Sequence, residues 1–238
     1  MRKKLIIIGV ILLFGFALFS REIKQGAMRD TDFAASIKVQ EKVDTSSRLR
    51  TARLIGEAME GSTFIASPEI SVVAVLVLTA FAGWDRKKKR LRWQAAVIPV
   101  LFALLVLGEV YGKTVVHHPS PPFFMIKNPT TIFPKYYIND EFSYPSGHAA
   151  RAMFIAFLAS MCPCVNVSVK RVVNKRKILI GGLLIIYVGL VSISRIYLGH
   201  HWLSDVIGGW LLGGGIGALT MGIDASGITS YNRKAMST

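Results

Sequence analysis

Ser194-Arg195-Ile196-Tyr197-Leu198-Gly199-His200-His201-Trp202-Leu203-Ser204-Asp205 closes one apolar run, Ile178 to Ile193, and opens the next, Leu203 to Ile223. An arginine, two histidines and a carboxylate lie between two stretches of hydrocarbon-loving sequence. Ionisable groups at the edge of a bilayer are costly to desolvate, so a cluster of them marks a functional site. His201 and Asp205 are four apart, so on a helix they share a face, and the carboxylate can accept the imidazole Nδ1–H. That pairing fixes the tautomer and leaves Nε2 free to attack or to take a proton. The structural alternative is an interfacial ion pair that anchors a helix end.

The rest of the chain has the same character. Of its 238 residues 52% are hydrophobic and only 18% charged, and the apolar residues are clustered, which defines an all-α polytopic membrane protein. A formal net charge of +15 would suggest nucleic acid in a soluble chain. Here the basic residues crowd between apolar runs, so the bilayer is the partner and no nucleic acid is expected. Cys162 and Cys164 are too few for a zinc site and too close for an easy disulfide, which leaves them structural.

Six transmembrane helices are expected. Residues 1–20 form the first, uncleaved because Ala17-Leu18-Phe19-Ser20 is a poor cleavage site. Residues 21–62 form an outer polar loop, in which Leu49, Ala52, Ile55 and Met59 recur at the spacing of an amphipathic surface helix. Residues 63–223 form a helical core with five spans: Phe64 to Trp84, Trp93 to Tyr111, Ala149 to Cys162, Ile178 to Ile193 and Leu203 to Ile223. Pro68 marks a first turn or kink of the second span, and Glu109 is the one charge within the third. Gly209, Gly213 and Gly217 give the last span a smooth ridge for close helix contact. Residues 224–238 are a cytoplasmic tail.

Lysine and arginine set the orientation. They collect at Arg2-Lys3-Lys4, from Arg86 to Arg92, from Lys170 to Lys177 and at Arg233-Lys234, all on one side for an even number of spans. That side is the cytoplasm of a cell membrane, with both termini in it. The stretches 21–62, 113–147 and 194–202 then face outward, and with them the chemistry.

Three stretches carry that chemistry: Lys113-Thr-Val-Val-His-His-Pro-Ser-Pro-Pro122, Tyr144-Pro-Ser-Gly-His148 and the opening segment. Pro145-Ser146-Gly147 is a tight turn feeding a helix, whose amides and dipole end suit an anion. Lys113 and Arg195 add fixed positive charge, and arginine suits bidentate contact with phosphate oxygens. His148 is a second imidazole, able to protonate a leaving oxygen near neutral pH. Together they suit phosphoryl transfer: His201 attacks phosphorus in line, His148 protonates the departing alkoxide, and water then hydrolyses the phosphohistidine. A metal site built from His117, His118, His148, His200, His201 and Asp205 is the rival, weakened because the lysine and arginine would repel a cation.

These motifs resemble those of the membrane-bound type 2 phosphatidic acid phosphatase family, whose fold is also seen in vanadium haloperoxidases. The family signature is Lys-x6-Arg-Pro, Pro-Ser-Gly-His and Ser-Arg-x5-His-x3-Asp. The second motif is intact at 145–148 and the third at Ser194-Arg195, His201 and Asp205. The resemblance, over roughly residues 64 to 223, implies that His201 is the nucleophile, Asp205 its partner and His148 the general acid. It implies that Lys113, Ser146, Gly147 and Arg195 hold phosphoryl oxygens, with no metal or cofactor. The first motif departs from the pattern, because Ser120 stands at the arginine position before Pro121. His117, His118, Lys127 and Lys135 are the nearby basic groups that could replace the lost charge. The expected function is a lipid phosphatase acting on a monoester or diphosphate of the undecaprenyl diphosphate, phosphatidic acid or phosphatidylglycerol phosphate type. A phosphotransferase with the same intermediate and a non-catalytic lipid-binding relative are the alternatives. Phe123, Phe124, Tyr136, Tyr137 and Phe142 make the loop 113–147 the candidate lid.

Overall fold

A computed structural model describes residues 2–45, 49–85, 90–91, 93–127, 141–161 and 170–224. Among these residues the chain is helical: α1 (Arg2–Lys24), α2 (Arg29–Thr45), α3 (Leu49–Ile65), α4 (Pro68–Gly83), α5 (Val97–Val116), α6 (Gly147–Met161), α7 (Lys170–Tyr197) and α8 (Leu203–Asp224). A ribbon of two-residue strands, β1 (Trp84–Asp85) and β2 (Arg90–Leu91), separates α4 from α5.

Apolar side chains point away from the bundle. Ile7, Ile11, Phe14 and Leu18 of α1, Val73, Leu76 and Phe81 of α4, and Ile185 and Ile186 of α7 are all exposed. Such a surface is tolerable only against lipid, where every backbone group must be satisfied within its own helix. Among the described residues four helices are long and apolar enough to cross a bilayer, and five if Leu54–Ile65 and Pro68–Phe81, bent by 51°, form one broken span. The break has a local cause. Ser67 caps α4 by accepting the Ile70 amide at 3.4 Å, and Pro68 takes the first helical position, where it loses no hydrogen bond.

α8 is the hub: 67% of its spanning window is buried, against 11% for α1. In lipid, helices gain little from hydrophobic burial against one another, so close contact through small residues decides the packing. A Cβ on Gly209 would stand 2.6 Å from the Ser146 carbonyl, and one on Gly213 would stand 2.9 Å from the Ala150 Cα. α6 therefore lies directly on the glycine ridge. On the other flank, Gly215 meets Leu13 and Gly9 meets Leu219, which runs α1 antiparallel to α8. Phe102 and Phe154, 5.6 Å apart, fill the core between α5 and α6 with Leu105, Leu158, Leu212 and Ile216.

The segment 21–62 is largely helical: the helix expected over Leu49 to Met59 is present as part of α3, and α2 is an addition to it. α3 is not a free surface helix: Ser62 Oγ lies 2.7 Å from Ser194 Oγ, and Ser194 Oγ also reaches the Met59 sulfur at 2.9 Å. α2 buries polar residues, Asp32 and Ser36, and so shows no apolar stripe that a sequence pattern could reveal. Cys162, Cys164, Lys135, Tyr136, Tyr137 and the tail beyond Asp224 lie outside the described residues.

Candidate active site

Four helix ends meet at one end of the bundle. α5 continues to Val116, which places Lys113 in its last turn, one turn after Glu109. His117 stops the helix in the left-handed conformation, with φ of 55°. The chain then pairs with the strand entering α6, as Ser143 N–H donates to the His118 carbonyl at 2.9 Å. α6 begins at Gly147, where an added side chain would meet the Glu109 carboxylate of α5 and would have to displace it. Ser146 N–H donates to the Asp205 carbonyl at 2.9 Å, which ties the start of α6 to the start of α8. Tyr144 is fully buried beneath this turn, its hydroxyl 3.0 Å from Ser20 Oγ of α1.

Arg195 stands in the last turn of α7. The backbone then curls under the helix: Gly199 adopts φ of 72° and the His200 and His201 amides both donate to the Arg195 carbonyl, at 3.1 and 3.2 Å. α8 starts two residues later with one half of a capping box, since Asp205 Oδ2 accepts the Trp202 amide at 2.8 Å. The same oxygen lies 3.4 Å from His201 Nδ1. The expected His201–Asp205 pair is therefore present at ion-pair distance. The tight hydrogen bond to this carboxylate comes from His118, whose Nδ1 is 3.0 Å from Asp205 Oδ1.

A cleft of about 250 Å³ opens between these ends. Lys113, Ser120, Gly147, His148, Arg195 and His201 all line it, joined by Arg151, His200, Glu69 and Glu109. Of the eight residues assigned catalytic or phosphate-binding roles from the sequence, six thus line this cleft. The other two, Ser146 and Asp205, are fully buried behind it. Burial, with the Arg195 charge added, holds His201 below the ordinary imidazole range, against the opposing pull of Asp205. His201 is accordingly neutral at pH 7, and Asp205 behind Nδ1 leaves Nε2 as the nitrogen with a lone pair. His200 is lowered as well, by burial first and then by Arg195 and His201.

Three features of the site had little or no signal in the sequence. Arg151, one turn along α6 from His148, donates from Nη1 to Glu109 Oε2 at 2.6 Å and from Nε to the Ala66 carbonyl at 3.3 Å. Its i+3 spacing from His148 could have found it. His118 was expected among the groups able to face phosphate, but it turns inward to Asp205 and lies 3.8 Å from Asp32 Oδ2. Asp32 reaches the site from α2, far away in the chain, and accepts both the Ser204 amide at 2.8 Å and the Ser204 hydroxyl at 2.7 Å. Of the other basic groups near Ser120, Lys127 pairs with Asp44 of α2 and exposed His117 packs on Phe142, with ring centres 4.7 Å apart.

Such an assembly defines a class: a multi-pass α-helical membrane protein with three histidines and several cations converging on one cleft at the helix ends. Residues 93–225, more than half of the chain, match the PAP2 superfamily, and the protein belongs to that family. An undecaprenyl-diphosphatase from Sulfolobus acidocaldarius is 37% identical over 141 residues, 58% of this chain and 59% of that protein. The chain thus spans about three-fifths of that relative's length. Phosphatidylglycerophosphatase B from Bacillus subtilis is 24% identical over 209 residues, 86% of this chain and 88% of the relative. The crystal structure of a transmembrane PAP2-type phosphatidylglycerolphosphate phosphatase from Bacillus subtilis superposes with a TM-score of 0.61 at 21% identity. That superposition covers 95% of this chain and 96% of the other, and it shows the shared fold.

Proposed function

We propose that the protein is an integral membrane lipid phosphatase that works through a phosphohistidine. The observation that carries this reading is the convergence of His201 and His148 on one cleft with Lys113 and Arg195, while Asp205 stands behind His201. His201 Nε2 attacks phosphorus, forming a P–N bond as the P–O bond to the lipid breaks. Burial, with the Arg195 charge added, holds His148 below the ordinary imidazole range, so it takes up its proton together with the negative charge of the phosphate. It gives that proton to the departing oxygen and then takes one from water, which attacks phosphorus and releases His201 with inorganic phosphate. Lys113, Arg195 and the amide of Gly147, which lines the cleft, stabilise the charge on the equatorial oxygens, whereas the Ser146 amide is held by the Asp205 carbonyl; such a contribution is largest when the donors are already in place. No metal takes part in any of these steps.

Arg151 replaces the cation missing at Ser120. Both residues line the cleft, and Glu109 holds the guanidinium in place before substrate arrives. The substrate is a lipid carrying a phosphate monoester or diphosphate. The 37% identical relative named as an undecaprenyl-diphosphatase favours an isoprenoid diphosphate, and phosphatidylglycerol phosphate is the second choice.

The cleft faces the outer side of the cell membrane in a six-span arrangement, with both termini inside. Helix direction supports this. Gly9 of α1 packs near Leu219 of α8, whereas Ser20 reaches Tyr144 at the site, so Arg2-Lys3-Lys4 lie at the end remote from the cleft. The basic residues that begin α7 are likewise a whole helix away from Arg195. Rapid acid-free quenching with a 32P-labelled lipid diphosphate tests the chemistry. Acid-labile label on wild type that is absent from His201→Ala supports the covalent intermediate, and label retained in His201→Ala refutes it.

A further inference from the structure

Asp32 and His118 form a buried chain behind the reacting histidine that the mechanism above does not use. Asp32 is 1% exposed, His118 6% and Asp205 0%. Asp32 clasps Ser204, the residue preceding Asp205, through both its amide and its hydroxyl. His118 Nδ1 takes Asp205 Oδ1, which leaves Oδ2 for the Trp202 amide and for His201. An ionised carboxylate only accepts, so His118 Nδ1 carries the proton in this contact. One oxygen of Asp205 is thus pinned from the side remote from the cleft, and the other is aimed at Nδ1 of His201. His118 lies within residues 93–225, the part that matches the family, whereas Asp32 lies outside it, so that half of the brace comes from α2.

We propose that Asp32 and His118 are positioning residues that fix the rotamer of Asp205 and share its charge, and thereby set the orientation and basicity of His201. This inference rests on His201 being the nucleophile. The groups facing His201 are Asp205 from its own segment, Arg195 from α7, Lys113 from α5 and the neighbouring His148 and His200. Of these only Asp205 is negative. If the His118 donor is removed, Asp205 presents more of its charge to His201 and stabilises its protonated form. His201 should then become neutral only at a higher pH.

The test compares wild type, His118→Leu, His118→Asn, whose amide can donate from nearly the same place as Nδ1, and Asp32→Asn. Two readouts are taken on purified protein in detergent: kinetics on undecaprenyl diphosphate, and the pH midpoint of His201 modification by diethyl pyrocarbonate, followed by mass spectrometry. A lost charge-assisted hydrogen bond predicts roughly a ten- to hundredfold fall in kcat for His118→Leu with KM within about twofold. The modification midpoint should move to higher pH, and His118→Asn should restore both readouts. Asp32→Asn should lower kcat severalfold at unchanged KM, and its loss should not add fully to that of His118→Leu in the double variant. Wild-type kcat and midpoint in folded His118→Leu would overturn the proposal, as would failure of His118→Asn to restore them. If His118→Leu does not fold, a wild-type kcat in Asp32→Asn overturns it instead. If wild type hydrolyses no lipid, the proposed function fails, while the modification midpoint still decides whether the brace acts on His201.

Discussion

Replacing Arg151 with leucine should destabilise the protein by a predictable amount. The guanidinium lies 2.6 Å from Glu109, and the two side chains are 5% and 13% exposed, so this is an ion pair removed from water. Deleting one partner of such a pair strands the other charge and costs about 3–5 kcal/mol. Lys113, 4.0 Å from the second Glu109 oxygen, is too distant and too exposed to take over fully. The arginine also donates to the Ala66 carbonyl at the bend between α3 and α4, so its loss loosens that joint too. At about 2–4 °C per kcal/mol for a chain of this size, the thermal midpoint should fall by roughly 6–20 °C. Differential scanning fluorimetry in one detergent at pH 7 is the assay. Adding Glu109→Leu should recover most of the loss, because both charges then disappear together. A midpoint within about 2 °C of wild type, or a double variant worse than Arg151→Leu alone, would refute the reading of this pair as a buried, mutually dependent ion pair.

Three further outcomes follow from the same geometry. Because His201 is held below the ordinary imidazole value, activity should persist below pH 6.5 and fail only as pH drops through the lowered value and the nucleophile protonates; an acid limb in kcat/KM above pH 6.5 would contradict this. Gly213→Val places a branched side chain against the Ala150 backbone, which cannot yield, and should cost about 1–3 kcal/mol or more, read as a lower thermal midpoint and reduced folded yield. Ser120→Arg adds a cation to the cleft wall and should lower KM with little change in kcat, whereas an unchanged KM would mean that position 120 does not meet the phosphate.

The parts of this structure that were legible in the sequence are those set by local periodicity. Apolar runs mark α1, α5, α7 and α8 because a bilayer leaves no alternative to helices, and the glycines of α8 mark the face that takes α6. His148, Arg195 and His201 could be placed in one cleft because tight turns at helix ends bring short motifs to the same membrane face. Contacts that join distant segments left no such trace. Asp32 is one acidic residue in a polar helix, and nothing in its neighbourhood announces that Ser204 is its partner. His118 looked like a replacement cation because it stands near Ser120, yet the chain reversal after His117 turns it toward Asp205. Glu109 was visible as a charge within a span, but its partner Arg151 was hidden within a separate apolar run.

The most direct test of the central claim is phosphate release in detergent from undecaprenyl diphosphate, phosphatidylglycerol phosphate and phosphatidic acid, with a chelator present. Wild type and His201→Ala would be assayed side by side. Chelator-insensitive release by wild type, absent from a folded His201→Ala, is the predicted result. Equal release by both proteins, or release that the chelator abolishes, would contradict a histidine nucleophile working without metal.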